Sequence, residues 1–310
     1  MQDAQYARES LAKGSKSFAA AAKLLPGDVR DDVAKLYAWC RHCDDVIDGQ
    51  VLGHGERPVD DPAGKLQALR AQTNAALAGE ATGVAVFDGF GEVATRHGIT
   101  PRLAHDLLDG FAMDVAEARY ATLDDLAAYC YGVAGAVGVM MALVIGVPPN
   151  ETDTLDRASD LGLAFQMTNI ARDVIADAKA GRVYLPSDWL AQSGVAPMPD
   201  AVAAPQNQRA VWQVTERLVS AAEAYYASAD VGVARLPFRP AWAIAAAGRV
   251  YRAIGTHRRE VGPERLDERV STSRTEKLAI VAVSALAAAR RERPSSALDR
   301  TGLWQRPPRP

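Results

Sequence analysis

The stretch Tyr37-Ala-Trp-Cys-Arg-His-Cys-Asp-Asp-Val-Ile-Asp48 decides how this chain is organised. Apolar residues recur at helical spacing around it, at positions 33, 36, 40, 43 and 47, and predict a helix that starts near 28–32 and ends near Gly49. One polar row on that helix consists of Tyr37, Arg41, Asp44 and Asp48. Two carboxylates four residues apart repel each other by about a few tenths of a kcal/mol, and a bound cation would reverse the sign.

A second stretch repeats this arrangement: Gln166-Met-Thr-Asn-Ile-Ala-Arg-Asp-Val-Ile-Ala-Asp177. Its polar row consists of Gln166, Asn169, Asp173 and Asp177. Both stretches contain Asp-Val-Ile, both end in an Asp-x-x-x-Asp pair, and both carry an arginine just upstream of the first aspartate. The repetition indicates a shared function much more strongly than either pair does alone.

Facing acidic rows would need cations, because four carboxylates and an amide oxygen would otherwise share one space. Oxygen ligands without histidine or cysteine suit Mg²⁺ or Mn²⁺ rather than zinc. Several such ions, with Arg41, Arg172 and Lys16, would hold a diphosphate and stabilise it as a leaving group. The sequence has no P-loop and no kinase catalytic loop, so we expect the diphosphate to depart rather than to be transferred.

Composition narrows the function classes. The chain has 310 residues, is 48% hydrophobic and 24% charged, and has a net charge of -3, which does not suggest a nucleic-acid partner. From Arg249 onward 14 Lys/Arg stand against 7 Asp/Glu, so this C-terminal segment is basic. It would suit phosphate or an anionic membrane surface, or would simply form a solvated arginine-rich face. The three cysteines (Cys40, Cys43, Cys130) suit packing in a reducing cytosol.

Periodicity predicts an all-α protein of about ten helices and no nucleotide-binding α/β unit. Beyond the two acidic helices (the second from about 151 to 176), helical patterns cover 3–13, 63–78, 82–97, 101–119, 123–146, 208–229, 239–260 and 271–291. The stretch 178–206 reads as a long loop. We expect one domain over residues 1–293 and a disordered Pro/Arg-rich tail over 294–310.

The uncharged segment 126–150 is long enough to cross a bilayer, but both of its flanks are acidic. We therefore expect a helix at the centre of the protein. One face of this helix consists of Tyr129, Val133, Ala136, Val137 and Met140. Core packing explains the pattern as well as an apolar tunnel for a hydrocarbon tail does. Aromatic residues that would line a dry carbocation site are Phe18, Tyr37, Tyr129 and Phe165.

Five motifs together resemble the squalene/phytoene synthase family, and within it the bacterial phytoene synthases. They are Ser15-Lys-Ser-Phe18, Tyr37-Ala-Trp-Cys-Arg41 with Asp44-Asp-Val-Ile-Asp48, Tyr129-Cys-Tyr-Gly-Val-Ala-Gly135 with Val137-Gly138, Gln166 through Asp177, and Gly181-Arg-Val-Tyr-Leu-Pro186. The resemblance extends from about residue 8 to 291. It implies a class I isoprenoid synthase bundle with a central cavity, and head-to-head condensation of two identical allylic diphosphates.

The resemblance also implies residue roles. The implied ligands of the metal ions are Asp44, Asp48, Asn169, Asp173 and Asp177. Implied contacts to the substrate are Ser15, Ser17, Phe18, Arg41, Gln166, Arg172, Tyr251 and Arg274. Tyr37 and Tyr129 would line the reacting centre. Asp114 is a further candidate, whereas Asp45 is offset by one position from its row and is expected on the helix surface or behind the row.

Three hypotheses follow. The first is a phytoene synthase that converts two geranylgeranyl diphosphates to phytoene without NADPH. The second is a C15 enzyme that makes dehydrosqualene or squalene, and the third is a non-catalytic helical assembly protein. Small side chains at positions 19–22 predict a deep tail pocket and favour the C20 substrate. Because substrate and product are oils, we expect a cytoplasmic protein in peripheral contact with the membrane and with upstream and downstream carotenoid enzymes.

Overall fold

A computed structural model describes residues 7, 9–12, 16–51, 59–290 and 299–307. Within 16–51, residues 16–18 are described by their backbone alone. These residues form helices and connecting loops without a β-sheet, so the predicted all-α class is confirmed. Of the predicted helix 3–13, only residues 7 and 9–12 are described, and they are helical. The remaining helices are α1 (Lys16–Ala22), α2 (Gly27–Asp48), α3 (Pro62–Leu77), α4 (Ala85–His97), α5 (Pro101–Val115), α6 (Leu123–Cys130), α7 (Ala136–Val144), α8 (Thr152–Lys179), α9 (Ser187–Gln192), α10 (Pro199–Ala203), α11 (Gln208–Val233), α12 (Phe238–Val261) and α13 (Arg274–Arg290).

Local signals place several helix ends where the sequence predicts them. The Thr122 and Asp125 side chains form a capping box at the start of α6. Thr100 accepts from the Leu103 amide at the start of α5, where Pro101 occupies the first turn. Helix α2 ends at Gly49, whose φ of 65° is left-handed.

The first acidic helix, α2, buries the face opposite its polar row. Trp39 is fully buried, stacks on Phe90 with ring centroids 3.8 Å apart, and donates its indole N–H to Thr73. Cys43 is also buried, and burial raises the pKa of Cys40 to about 12. These thiols stay protonated, which is consistent with the predicted packing role.

The central apolar helix is interrupted. Tyr131–Gly135 forms a π-helical turn between α6 and α7. The glycines of this broken helix allow neighbouring backbones to approach closely. On α7, for example, a Cβ at Gly138 would lie 2.3 Å from the Ala158 carbonyl oxygen on α8. The span Leu123–Val144 is long and apolar enough to cross a membrane. However, 67% of its most apolar 18-residue stretch is buried inside the protein, as expected for a core helix.

Two segments are more ordered than the sequence predicts. The predicted loop 178–206 contains α9 and α10, and Trp189 is buried beneath the Arg217 guanidinium. The second segment is residues 299–307, which pack against the helices, although the composition predicts a disordered tail over 294–310. Arg300 donates two hydrogen bonds of 2.8 Å to Asp160, which is buried on α8, and the Trp304 ring lies 5.1 Å from that of Tyr131. The predicted boundary at 293 lies outside the described residues.

Candidate active site

A cavity of about 1280 Å³ lies between α2, α5, α8, α11, α12 and the broken helix α6–α7. It is larger than the roughly 300–1,000 Å³ typical of a pocket for one small ligand. Eleven of the predicted site residues line it: Tyr37, Arg41, Asp44, Asp48, Tyr129, Gln166, Asn169, Arg172, Asp173, Asp177 and Tyr251. The structure therefore brings the two acidic rows to one space.

The row on α2 places one arginine next to two aspartates. Arg41 forms an ion pair with Asp44, and its guanidinium lies 5.9 Å from the centroid of the Tyr37 ring. Burial raises the pKa of Asp44 to about 7 despite Arg41, and the nearby carboxylates of Asp48, Asp45 and Asp114 add to the rise. Such crowding of carboxylates is favourable only where added positive charge approaches them.

Asp48 lies at the end of this row and has a partner from another part of the chain. Its Oδ1 accepts a hydrogen bond of 2.9 Å from Arg182 Nη2. Arg182 follows α8 directly in sequence, so this contact joins the ends of the two acidic helices.

The row on α8 is also flanked by arginines. Arg172 Nε donates to both oxygens of Asp173 at 2.9 and 3.0 Å, and Arg269 Nε lies 3.4 Å from Oδ1 of the same carboxylate. Asn169 donates its amide to Gln166 Oε1 at 3.3 Å. Its carbonyl oxygen is buried in the cavity wall and has no hydrogen-bond partner among the described residues. A buried acceptor of this kind indicates that a ligand completes its contacts.

The donor set fits an oxygen-coordinated divalent ion. No three His, Cys, Asp or Glu side chains of the described ranges cluster closely enough to form a metal cage. Mg²⁺ does not need such a cage, because it commonly keeps several waters and uses one or two carboxylates together with substrate phosphate oxygens. Each acidic row offers two carboxylates, and the orphaned Asn169 oxygen adds a neutral ligand.

An aromatic cluster beside the acidic rows includes residues to which the sequence assigned no role. The Tyr129 hydroxyl lies 3.1 Å from both Asp114 oxygens, and the Tyr184 hydroxyl donates to Oδ1 at 3.0 Å. The Tyr129 and Tyr184 rings are stacked with centroids 5.2 Å apart. Burial raises the pKa of Asp114 to about 6, although Arg182 opposes the rise. Arg182 and Tyr184 belong to the Gly181–Pro186 motif, and this motif was the sequence feature that could have identified them as site residues.

The apolar wall follows the broken helix in a shifted register. Val133, Val137 and Met141 line the cavity, whereas Met140, which the sequence places on this face, is fully buried in the core. The prediction for Met140 is wrong because the π-helical turn adds a residue to one turn and rotates the following face. On the opposite wall Phe165 stacks on Tyr251 with centroids 4.3 Å apart.

The cavity extends away from the acidic rows along α8. Thr154, Arg157 and Ala158 line its far part, where Gly232 and Val233 of α11 approach. Thr154 and Asp173 are 19 residues apart on one helix, a distance of about 29 Å along its axis. The sequence predicts a tail pocket beside the small side chains at 19–22. Ala21 and Ala22 are instead buried in the core and do not line the cavity, whose far part lies along α8.

Some predicted contacts are not placed at the cavity. Ser15 lies outside the described residues, and Ser17 and Phe18 are described only as backbone within α1. Arg274 is exposed and is not among the lining residues, whereas Arg269 and Lys277 line the cavity nearby. The loop that carries Arg269 is fixed by buried Arg258, which donates to the carbonyl oxygens of Arg265, Leu266 and Glu268.

Comparisons with known proteins show the family of this chain. A model of the squalene/phytoene synthase family matches residues 11–276. A 15-cis-phytoene synthase of Paracoccus sp. is 52% identical over 299 residues, with 96% of each chain covered. A 15-cis-phytoene synthase of Pantoea ananas is 49% identical, with 97% of each chain covered.

Solved structures share the fold. A dehydrosqualene synthase in complex with a ligand superposes with a TM-score of 0.82 at 27% identity, covering 93% of this chain and 97% of that one. A squalene synthase of Alicyclobacillus acidocaldarius gives a TM-score of 0.73 at 23% identity, covering 84% of this chain and 94% of that one, and supports the fold alone. Isoprenoid synthases of this family and fold generally use divalent metal ions. Because the family model and the half-identical relatives agree, the chain belongs to the squalene/phytoene synthase family.

Proposed function

We propose that this protein is a prenyltransferase that condenses two geranylgeranyl diphosphates head to head, through prephytoene diphosphate, to 15-cis-phytoene. The observation that carries the proposal is the pair of acidic rows, each flanked by arginines, that line one large cavity together with apolar side chains. Relatives about half identical over nearly the whole chain bear the name phytoene synthase, which favours this activity over the alternatives.

The polar end of the cavity suits departure of diphosphate. The residues that would hold Mg²⁺ or Mn²⁺ ions are Asp44, Asp48, Asn169, Asp173 and Asp177. When bound, the ions supply Lewis-acid stabilisation of the leaving diphosphate. Arg41 and Arg172 already lie beside the carboxylates, so they can turn toward the phosphate oxygens and neutralise the remaining charge.

The apolar part of the cavity suits the cationic steps. After the first diphosphate leaves, the C2=C3 double bond of the second substrate attacks the allylic cation, and loss of one proton from the resulting cation closes the ring of a cyclopropylcarbinyl diphosphate. Loss of that diphosphate, rearrangement and loss of a proton then give a conjugated triene. The rings of Tyr37, Phe165 and Tyr251 line the cavity, where they exclude water and offer their negative faces to the cation.

The length of the cavity accommodates a C20 tail. The apolar walls continue along α8 from the acidic row to Thr154. The C15 alternative and the non-catalytic alternative are less favoured. The half-identical relatives are phytoene synthases, and both acidic rows are intact and line the cavity.

A product assay tests the proposal. Purified protein is incubated with geranylgeranyl or farnesyl diphosphate, Mg²⁺ or Mn²⁺, and with or without NADPH, and the hydrocarbons are separated by chromatography. We expect a C40 triene from the C20 substrate without NADPH. A C30 product alone, or a strict need for NADPH, would refute the proposal. Asp173→Asn serves as the inactive control.

The proposal includes a location. We expect a cytoplasmic protein in peripheral contact with the membrane, because the tails of its substrates and the whole of its product dissolve in the bilayer. Direct contact with the enzymes that supply the C20 diphosphate and consume the triene would shorten transfer. Cell fractionation tests the location, and recovery in the soluble fraction alone at low ionic strength would contradict it.

A further inference from the structure

The outer face of the last long helix, α13, is apolar and exposed. From Leu278 to Ala289 the sequence contains no charged residue. The side chains of Leu278, Val283 and Leu286 are 64%, 58% and 51% exposed. Since soluble domains rarely expose contiguous apolar patches of large side chains, such a face indicates an interaction site.

The inner face of α13 is fixed to α12, so the exposed face has a defined orientation. The Trp242 indole N–H donates to the Val281 carbonyl at 2.8 Å, and Arg249 donates to Ser284 at 3.2 Å. Ser284 is fully buried. At 100° per residue, Leu278, Ala282 and Leu286 fall on the opposite side of the helix.

Basic residues mark the two ends of this face. Arg274 and Lys277 lie in the first turn of α13, and Arg290 lies at its end. The nearby carboxylate of Glu276 is already paired with His257 at 3.1 Å. An apolar stripe between cations is the pattern of a helix that lies in the interface of an anionic bilayer.

The start of α13 also borders the cavity. Thr272 and Lys277 both line it. Lys277 lies seven residues before Ser284 and so shares the inner face of the helix, which leaves the outer face free to contact a bilayer beside the substrate site. A second copy of the chain suits the face less well. Two α13 helices packed in parallel or antiparallel would bring the cations at their ends together.

We propose that the outer face of α13, formed by Leu278, Val283 and Leu286 between Arg274 and Arg290, docks on an anionic lipid bilayer. The inference rests on the proposed function, because a substrate and a product with long hydrocarbon chains are taken from and returned to a bilayer.

Vesicle binding tests the proposal. Full-length protein is sedimented with vesicles of phosphatidylcholine alone or of phosphatidylcholine with phosphatidylglycerol. We expect stronger binding to the anionic vesicles, weakened by salt. Leu278→Ser/Val283→Ser/Leu286→Ser should weaken this binding by at least about tenfold. The matched control is Met198→Ser, which removes an exposed apolar side chain on another segment and should bind like the wild type.

The outcomes separate this proposal from the proposed function. The triple serine variant should retain wild-type turnover in detergent, where no bilayer is needed, and Asp48→Asn should bind vesicles normally while losing turnover. Unchanged vesicle binding by the triple variant would overturn the docking proposal, whatever the product assay shows. A wild-type dimer that the same substitutions convert to a monomer would also overturn it, because the face would then be a self-association surface.

Discussion

Replacing Asp48 by asparagine separates the electrostatic role of the first acidic row from its structural role. Asparagine keeps the shape of the side chain and an oxygen that can accept from Arg182, so the substitution removes mainly one charge. In the Arg182–Asp48 ion pair the arginine side chain is 39% exposed and the aspartate side chain is 20% exposed. Its loss should therefore lower the free energy of unfolding by only about 1 kcal/mol.

The expected effect of Asp48→Asn on turnover is much larger. Removing one preorganised group that stabilises developing charge typically lowers kcat by about 10²–10³. Asp48 is also expected to hold a metal ion for the leaving diphosphate, so we expect a decrease of at least about 10³. That decrease corresponds to about 4 kcal/mol in the activation barrier. The assay is release of inorganic diphosphate from geranylgeranyl diphosphate, with a urea titration to verify folding.

Asp45→Asn is the matched control, because it makes the same charge change on the same helix. Asp45 lies one position away from the polar row and is not among the lining residues of the described cavity. We expect its turnover to fall by less than about tenfold, since no metal contact is lost. Equal losses in both variants, or an Asp48→Asn variant within tenfold of the wild type, would refute the assignment of the row.

Three further changes test other parts of the structure. Burial alone would raise the pKa of Asp32, but hydrogen bonds from His97 and Arg96 hold it below its ordinary value of 3.8. The stability that this carboxylate contributes is therefore present above about pH 4 and is lost as the pH falls through its lowered pKa. Urea titrations should show that wild type loses more stability than Asp32→Asn between about pH 6 and pH 3, and parallel losses would contradict this. Arg300→Ala leaves a buried carboxylate on α8 unpaired and should cost about 3–5 kcal/mol of unfolding free energy, whereas a change below about 1 kcal/mol would show that the C-terminal segment contributes little. Val233→Phe fills the far part of the cavity and should shift the kcat/KM ratio toward the C15 substrate by at least about tenfold, with Val233→Ala as the control; an unchanged ratio would place the tail elsewhere.

The shared face of the acidic residues could be predicted from the sequence because helical periodicity is a strong local signal. Spacing alone assigns Asp44 and Asp48 to one face, and the structure places both on the cavity wall. That the two rows face each other depends on how α2 and α8 pack, which spacing does not contain. The resemblance to a known family supplied that step.

Residues from loops were harder to assign. Arg182 and Tyr184 follow α8 in an irregular segment, so no periodicity relates them to Asp48 or Asp114. Arg269 likewise reaches Asp173 from a loop that buried Arg258 holds in place. Their positions depend on tertiary contacts rather than on local spacing.

Two differences between the predicted and the observed fold have similar causes. A π-helical turn cannot be told from ordinary α-helix in a sequence. The sequence therefore predicts Met140 on the cavity face, whereas Met141 occupies that position in the structure. The Pro/Arg-rich composition of the C-terminal segment is typical of disorder, but Arg300 finds a buried carboxylate partner that composition does not show.

The proposed function requires that the two acidic rows share one diphosphate site. The most direct test is a crystal structure with Mn²⁺ and a non-hydrolysable analogue of geranylgeranyl diphosphate, in which anomalous scattering locates the metal ions. We predict ions bound to carboxylates of both rows, with Asn169 and the diphosphate oxygens completing their coordination and the tail extending along α8. Ions held by one row alone, or a diphosphate bound outside the space between Asp48 and Asp173, would contradict the claim.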